Sequence, residues 1–293
     1  MSEDSCPTFS PPPVSVVIAA RNVADTIDEQ LAALRDQNYP GPVEIIVADN
    51  GSTDATCARV RAWSDAFTHL RIVDASATPG AAHARNVGIA AAANDLVVTC
   101  DADDIVDSRW MGKLVGGLAD HDLVTGGVVP WDGGPLPEDP QPFTMSRAGF
   151  GFLPILSTGC LGLRRSVWEA LGRFDEQLPT CEDVDFAWRA QLRGYTLALR
   201  SDAFIYYRVT DEPFASFRKA YTYGRFQPVL YRRYRRAGLP RQPLHRALGR
   251  WCILAATIYH LAGTDEQRVK WCNEFGRRCG RLVGSIEARA AYL

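Results

Sequence analysis

Short runs of β-branched and apolar residues recur along the first half of the chain. They are Val14 to Ile18, Val43 to Val47, Leu70 to Val73, Leu96 to Thr99 and Leu123 to Val129, with starts 26 to 29 residues apart. Between most of them the apolar positions change to helical spacing, over Thr26 to Asp36, Ala55 to Trp63, Ala81 to Ala93 and Ser108 to Leu118. This alternation predicts right-handed βαβ units: an α/β fold with a mostly parallel, Rossmann-like sheet covered by helices on both faces. Open sheets of this kind bind ligands beyond the carboxyl ends of their strands. The residues just after each run are Ala19-Ala20-Arg21-Asn22, Asp49-Asn50-Gly51-Ser52-Thr53-Asp54, Asp74-Ala75-Ser76 and Asp101-Ala102-Asp103-Asp104. Three of these four loops begin with a carboxylate or contain a carboxylate pair, as a site for a polar ligand and a hard cation would.

Around Pro130 to Pro154 the chain becomes rich in Gly and Pro, which predicts a long surface loop. Order resumes with Leu161 and Leu163, then helical stretches over Ser166 to Leu171 and Glu182 to Leu192. From Phe214 to Leu293 the pattern is helical, a C-terminal appendage without a comparable strand signal, and residues 1–13 read as a disordered, proline-rich tail.

Composition narrows the class. With 46% hydrophobic and 23% charged residues in 293, the chain can bury a sizeable core, which excludes disorder and collagen-like repetition. The formal charge of −2 conceals an asymmetry: residues 208–250 hold eleven Lys or Arg against Asp211 and Glu212, a local +9 that leaves −11 elsewhere. The eight cysteines form no CxxC pair and no signal peptide precedes them, so they read as reduced thiols of a cytoplasmic protein. The run Trp251 to Tyr259 is too short to span a bilayer. The five histidines lack HExxH spacing and clustering with cysteine, which disfavours a zinc site.

Several constellations could carry chemistry. Asp101 and Asp103 follow an apolar run and, two residues apart, project from one face in extended backbone. Such a pair suits Mg²⁺ or Mn²⁺, which take one or two protein carboxylates and complete their shell with phosphate oxygens and water. Helix capping is the plainer role for a cluster of aspartates. Asp49 ends a run ahead of a Gly-Ser-Thr-Asp turn and is free to accept from a base or ribose, with Asp54 as the cap. Arg85, in an alanine-rich helix, could hold a pyrophosphate or a base edge, or could be an ion-pair partner. Glu182, Asp183 and Asp185 open a helix, where the macrodipole alone would favour them, yet adjacent carboxylates also raise one another's proton affinity as a general base requires.

Taken in order, these pieces resemble the family 2 glycosyltransferases, whose fold is the GT-A nucleotide-sugar-binding domain. The carrying segments are Val14 to Asn22, Asp49-Asn-Gly-Ser-Thr-Asp54, Ala84-Arg-Asn-Val-Gly88, Asp101-Ala-Asp-Asp104, Gly172-Arg-Phe-Asp-Glu176 and Glu182-Asp-Val-Asp-Phe-Ala-Trp-Arg189. Tyr223-Gly-Arg225 and Tyr231-Arg-Arg233 are similar to a further segment of many members, so the likeness covers roughly residues 14–236. It implies a GT-A catalytic domain over 14–213, with a nucleotide-binding half at 14–129 and an acceptor half at 155–213, followed by a basic helical segment at 214–293. It also implies that Asp49 bonds the uracil of a UDP-sugar, with Ala20, Asn22, Arg85 and Arg208 among the donor contacts. Asp101 would hold the ribose or a metal-bound water, and Asp103 the Mg²⁺ or Mn²⁺ on the diphosphate. Asp183 would be the base that deprotonates an acceptor hydroxyl, with Glu182, Asp185 and Trp188 touching the acceptor or supporting the site. The expected reaction is inverting transfer from the nucleotide sugar to a glycan, lipid-linked or small-molecule hydroxyl.

The chain departs from the family pattern at Ala19, Arg21 and Asn50. Where many relatives place a late histidine near the diphosphate it reads Phe204-Ile-Tyr-Tyr-Arg208, which leaves Tyr207 or Arg208 to take over that contact. No Q-x-x-R-W motif is present, which disfavours processive polymer synthesis. Gly224 to Arg250 carries eight arginines and no acid. It reads as a solvated face, an acceptor-binding surface, or an anchor on anionic lipid at the inner membrane face with Trp251 to Leu254 as apolar contact. No module accompanies the charge that would mark nucleic-acid binding. Two alternatives stand beside the transferase. One is a nucleotidyltransferase of related fold, which would normally show a glycine-rich basic loop after the first strand. The other is a non-catalytic nucleotide-sugar or polyanion-binding module.

Overall fold

The computed structural model describes residues 10–144 and 150–293. Most of the expected N-terminal tail, Cys6 and part of the Gly/Pro-rich loop lie outside these residues. The strands are β1 (Val14–Ala20), β2 (Val43–Asp49), β3 (Leu70–Asp74), β4 (Leu96–Asp101), β5 (Ile105–Val106), β6 (Leu123–Trp131), β7 (Cys160–Arg164) and β8 (Leu197–Arg208). The helices are α1 (Ile27–Arg35), α2 (Thr56–Ala62), α3 (Ala81–Ala91), α4 (Trp110–Gly117), α5 (Arg165–Ala170), α6 (Glu182–Leu192), α7 (Pro213–Tyr234), α8 (Leu244–Ala256) and α9 (Asp265–Glu287).

The eight strands form one sheet in the order β3-β2-β1-β4-β7-β6-β8-β5. The β3-β2-β1-β4 half is parallel, as the βαβ pattern requires. β7 then runs antiparallel between β4 and β6, and β8 is parallel to β6, so the whole sheet is mixed. Side chains alternate along β1: Val16 and Ile18 join Ile27, Leu31, Trp110 and Leu114 on one face. Val17 joins Ile89, Trp168, Phe186 and Trp188 on the other. Both faces are therefore covered by helices, and both cores are continuous with the sheet.

Two close approaches fix the geometry that matters for the site. A Cβ on Gly88 would stand 2.4 Å from Val17 Cγ1, so the absence of a side chain lets α3 lie directly on β1. At Gly126, where the β6–β8 register shifts, a Cβ would meet Ala203 O at 2.1 Å. The expected C-terminal helices are present, but α7 packs back onto the sheet domain. Gly276, Gly280 and Gly284 of α9 face its backbone, and their Cβ atoms would stand 2.4, 2.1 and 2.0 Å from the carbonyl oxygens of Phe217, Tyr221 and Arg225. Among the described residues no helix is long and apolar enough to cross a membrane, and the seven described cysteines are free thiols.

Candidate active site

Strand register sets the first distance. Ala20 of β1 lies beside Asp49 of β2, and Ala19 beside Asp101 of β4. Asp49 and Asp101 thus end neighbouring strands on either side of β1, about 10 Å apart at roughly 4.8 Å per strand. Asp49 accepts from Ser52 N at 3.2 Å, and Gly51 turns the chain at a φ of 76°. Asn22, itself left-handed at a φ of 53°, accepts from Thr53 N at 2.8 Å, which ties the β1 loop to the β2 loop. Ala20 is buried, and its carbonyl receives Asn50 N at 2.8 Å. The side chain of Asn50 is spent on structure: its amide donates to Ala75 O and Thr78 O and accepts from Gly80 N, shaping the approach to α3.

Arg85 connects this rim to α6. From α3 it donates to Asp101 Oδ1 at 2.6 Å and to Glu182 Oε1 at 2.8 Å, and only 5% of the residue is exposed. Burial opposes its charge, but Asp101 and Glu182 outweigh burial and hold the guanidinium above its ordinary range. Both amino ends of Arg85 bond carboxylates, so the side chain braces β4 against the start of α6. Asp101 needs room on its other side, where a Cβ on Gly159 would come within 2.9 Å of Oδ2.

Asp183 follows Glu182 on the same helix start, and its Oδ1 accepts from Val184 N at 2.7 Å. Burial first, and then the neighbouring Glu182 charge, push the Asp183 carboxyl up to about 7, against the pull of Val184 N–H and Arg85. Asp103 is raised by burial and by the Asp101 charge. Asp104, with 2% exposure, is pushed up to about 8 by burial, Asp101 and Asp103. One oxygen of Asp104 accepts from Arg208 N at 3.0 Å, while the other is buried without a partner. Among the described residues no group of three or more His, Cys, Asp or Glu is set to hold a metal ion unaided.

Arg208 ends β8 beside this loop. Its Nε donates to Asp103 O at 3.1 Å, its guanidinium lies 4.4 Å from the Trp131 ring centroid, and it pairs with Glu29. Asp185 and Trp188, expected to touch the acceptor or to support the site, are both buried. Asp185 is fully enclosed and accepts from Arg189 at 2.7 Å, Arg233 at 2.5 Å and Tyr234 at 2.6 Å, which clasps α6 to α7. Trp188 is fully buried, its indole donates to Leu153 O at 3.1 Å, and Phe150, Phe152 and Tyr234 surround it edge-on. Both brace the helix that presents Glu182 and Asp183.

Three residues at the rim have no site role in the sequence reading. Gln30 of α1, fully buried, donates to Asp101 O at 2.8 Å and accepts from Val106 N at 3.1 Å, pinning both ends of the acidic loop. Lys219 of α7 bonds the Tyr207 hydroxyl, and despite burial Tyr207 first, then the nearby Asp103 and Asp104, raise its ammonium. Tyr223, one turn further along α7, is raised by burial and by Asp183. The helical period of α7 would put residues 219 and 223 on one face, but nothing in the sequence places that face at the sheet.

The mixed sheet with its covering helices has solved counterparts. The mannosyltransferase PcManGT from Pyrobaculum calidifontis, in complex with GDP-Man and Mn²⁺, superposes with a TM-score of 0.65 over 96% of this chain and 89% of that one, at 20% identity. TarS of S. aureus in complex with UDP gives 0.55 over 96% and 93%, at 18% identity. The fold is therefore that of the GT-A glycosyltransferases. The family model Glycosyl transferase family 2 matches residues 15–172, and Glycosyl transferase family group 2 matches residues 96–272. The chain belongs to glycosyl transferase family 2. Glycosyltransferase AglE of Haloferax volcanii is 32% identical over 203 residues, 67% of this chain and 66% of that protein. Of the curated relatives that follow, the chain spans about a third: 35%, 30% and 29% of their lengths.

Proposed function

We propose that the protein transfers a sugar from a nucleotide sugar, in the first instance a UDP-sugar, to an acceptor hydroxyl with inversion and with the help of a divalent cation. The observation that carries this reading is the Arg85 bridge. It joins the aspartate ending β4 to the carboxylate beside Asp183, so the loop suited to a diphosphate and the group suited to a base share one rim. Asp49 lies about two strand spacings away, with Asn22 following the strand between, a separation that suits a base and ribose reaching toward the acidic loop.

Asp183 fits the base by its proton affinity near neutrality. It takes the proton of the acceptor hydroxyl, and the oxygen then bonds to the anomeric carbon from the face opposite the nucleotide. The bond from that carbon to the diphosphate oxygen breaks with its electrons, releasing the nucleoside diphosphate. Asp103, with Asp101, would hold Mg²⁺ or Mn²⁺. The buried unpartnered Asp104 oxygen and the raised carboxyls of this loop mark a place short of positive charge, which a hard cation fits. When bound, that ion neutralises negative charge growing on the leaving diphosphate. Lys219 and Arg208, on the other side of the acidic loop, add fixed positive charge and stand in for the histidine found late in many relatives.

The test is a thermal-shift panel of UDP-, GDP- and dTDP-sugars with Mn²⁺, followed by assay of nucleotide release with candidate acceptors. A nucleotide sugar that raises the midpoint and turns over supports the reading. Stabilisation without turnover against any acceptor would leave a binding module, and no stabilisation by any donor removes the assignment.

A further inference from the structure

From Pro213 to Thr264 the chain contains ten Lys or Arg and no Asp or Glu. Within it, α8 is a surface helix with a thin inward stripe. Ala247, Trp251 and Leu254 turn toward α9, where Trp251 meets Phe275 edge-on and Trp271 Nε1 donates to Leu254 O at 3.1 Å. The apolar contact expected of Trp251 and Leu254 is thus used internally. Other aliphatic residues face out: Leu244, Leu248 and Ile253 are 58%, 57% and 62% exposed, and Ile258 and Tyr259 of the following turn are 58% and 66% exposed. Arg241, Arg246 and Arg250, all exposed, flank them with no ion pair among the described residues. Behind α8, Arg278 is buried and pairs with Glu274 at 2.9 Å, while its Nε and Nη1 have no partner.

We propose that α8 and the turn after it dock onto a bilayer surface rich in anionic phospholipid, with the aliphatic face at acyl-chain level and the arginines at the headgroups. Two features select this occupant. A second copy meeting the same face in a two-fold dimer would bring Arg241, Arg246 and Arg250 against their own copies, whereas anionic headgroups complement them. Nucleic acid would leave the aliphatic residues without a partner, whereas an interfacial position buries them.

The test is co-sedimentation of the full chain with vesicles of phosphatidylcholine alone and with 30% phosphatidylglycerol. The expected result is binding to the anionic vesicles only, weakened by salt. The variant Leu248→Ser/Ile253→Ser should lose tenfold or more in vesicle affinity, and Arg241→Glu/Arg246→Glu about 25-fold or more, at roughly fivefold per arginine. All four positions are exposed, so the variants should melt and bind nucleotide as the parent does. The proposal is overturned if the parent stays in the supernatant, or if the aliphatic variant binds vesicles as tightly as the parent. It is also overturned if light scattering shows a dimer that this variant dissociates while anionic vesicles bind neither form.

Discussion

Replacing Arg85 by Met would leave two carboxylates facing each other across the rim without the cation between them. Removing one partner of a buried ion pair typically costs about 3–5 kcal/mol. The Glu182 side chain is 9% exposed and will bear nearly the full penalty, while that of Asp101, at 30%, regains some water. The expected loss is therefore about 3 kcal/mol in urea denaturation, and Glu182→Gln in the same background should recover about half of it. The reaction should suffer separately. Because the bridge sets the acidic loop against Asp183, kcat/KM should fall about 100-fold, equivalent to about 2.7 kcal/mol. The pH profile separates positioning from mere instability. Only ionised Asp183 accepts a proton, so activity rises with pH through about 7. The Arg85 charge lowers that carboxyl and the Glu182 charge raises it, so Arg85→Met moves the acidic limb upward and Glu182→Gln alone moves it downward. A variant within about 1 kcal/mol of the parent, with an unmoved acidic limb, would refute the role given to Arg85.

Asp183→Asn should abolish turnover and leave UDP affinity, measured by calorimetry, nearly unchanged; equal loss of both would move Asp183 into the donor site. The same variant has a stability signature. The folded-state carboxyl lies above its ordinary value of 3.8, so the native form loses stability as pH climbs from about 4 to about 7. Asn removes that penalty, and because the carboxyl is only partly buried we expect a gain of about 2 kcal/mol at pH 8 and none at pH 4, read as melting midpoints. Asp103→Ala should abolish metal-dependent UDP binding, and a parent protein whose UDP affinity ignores EDTA would contradict the metal assignment. Gly280→Ala ought to gain about 1 kcal/mol by helix propensity alone. Its Cβ would instead press on Tyr221 O at 2.1 Å, so a net loss of about 2 kcal/mol is expected in denaturant titration, and a stabilised variant would contradict the close α7–α9 packing.

The N-terminal half was legible because β1, β2 and β4 are buried on both faces and the helices between them keep a regular apolar spacing, so each element declares its period locally. β8 was not. Arg200-Ser201-Asp202 interrupts its apolar residues, and they lie at the irregularity opposite Gly126 and Gly127, where the strand leaves regular pairing. The candidate carboxylates were visible by position alone, since strand ends gather at one edge of a parallel sheet. Their partners were hidden for the opposite reason. Arg85 and Glu182 are 97 residues apart, and Asp185 and Arg233 are 48 apart, so only packing reveals that each pair closes an ion bridge. Asp185 and Trp188 read as site residues from the motif, yet burial gives them the work of holding α6 in place.

The glycine-lined seam between α7 and α9 has a mechanical consequence. With two backbones in near contact, the C-terminal pair behaves as one stiff splint, and neither member can slide or twist without the other. Lys219 and Tyr223 ride on that splint. The clasp of Arg233 on Asp185 and Asp175 fastens that splint to α6 and to the segment before it.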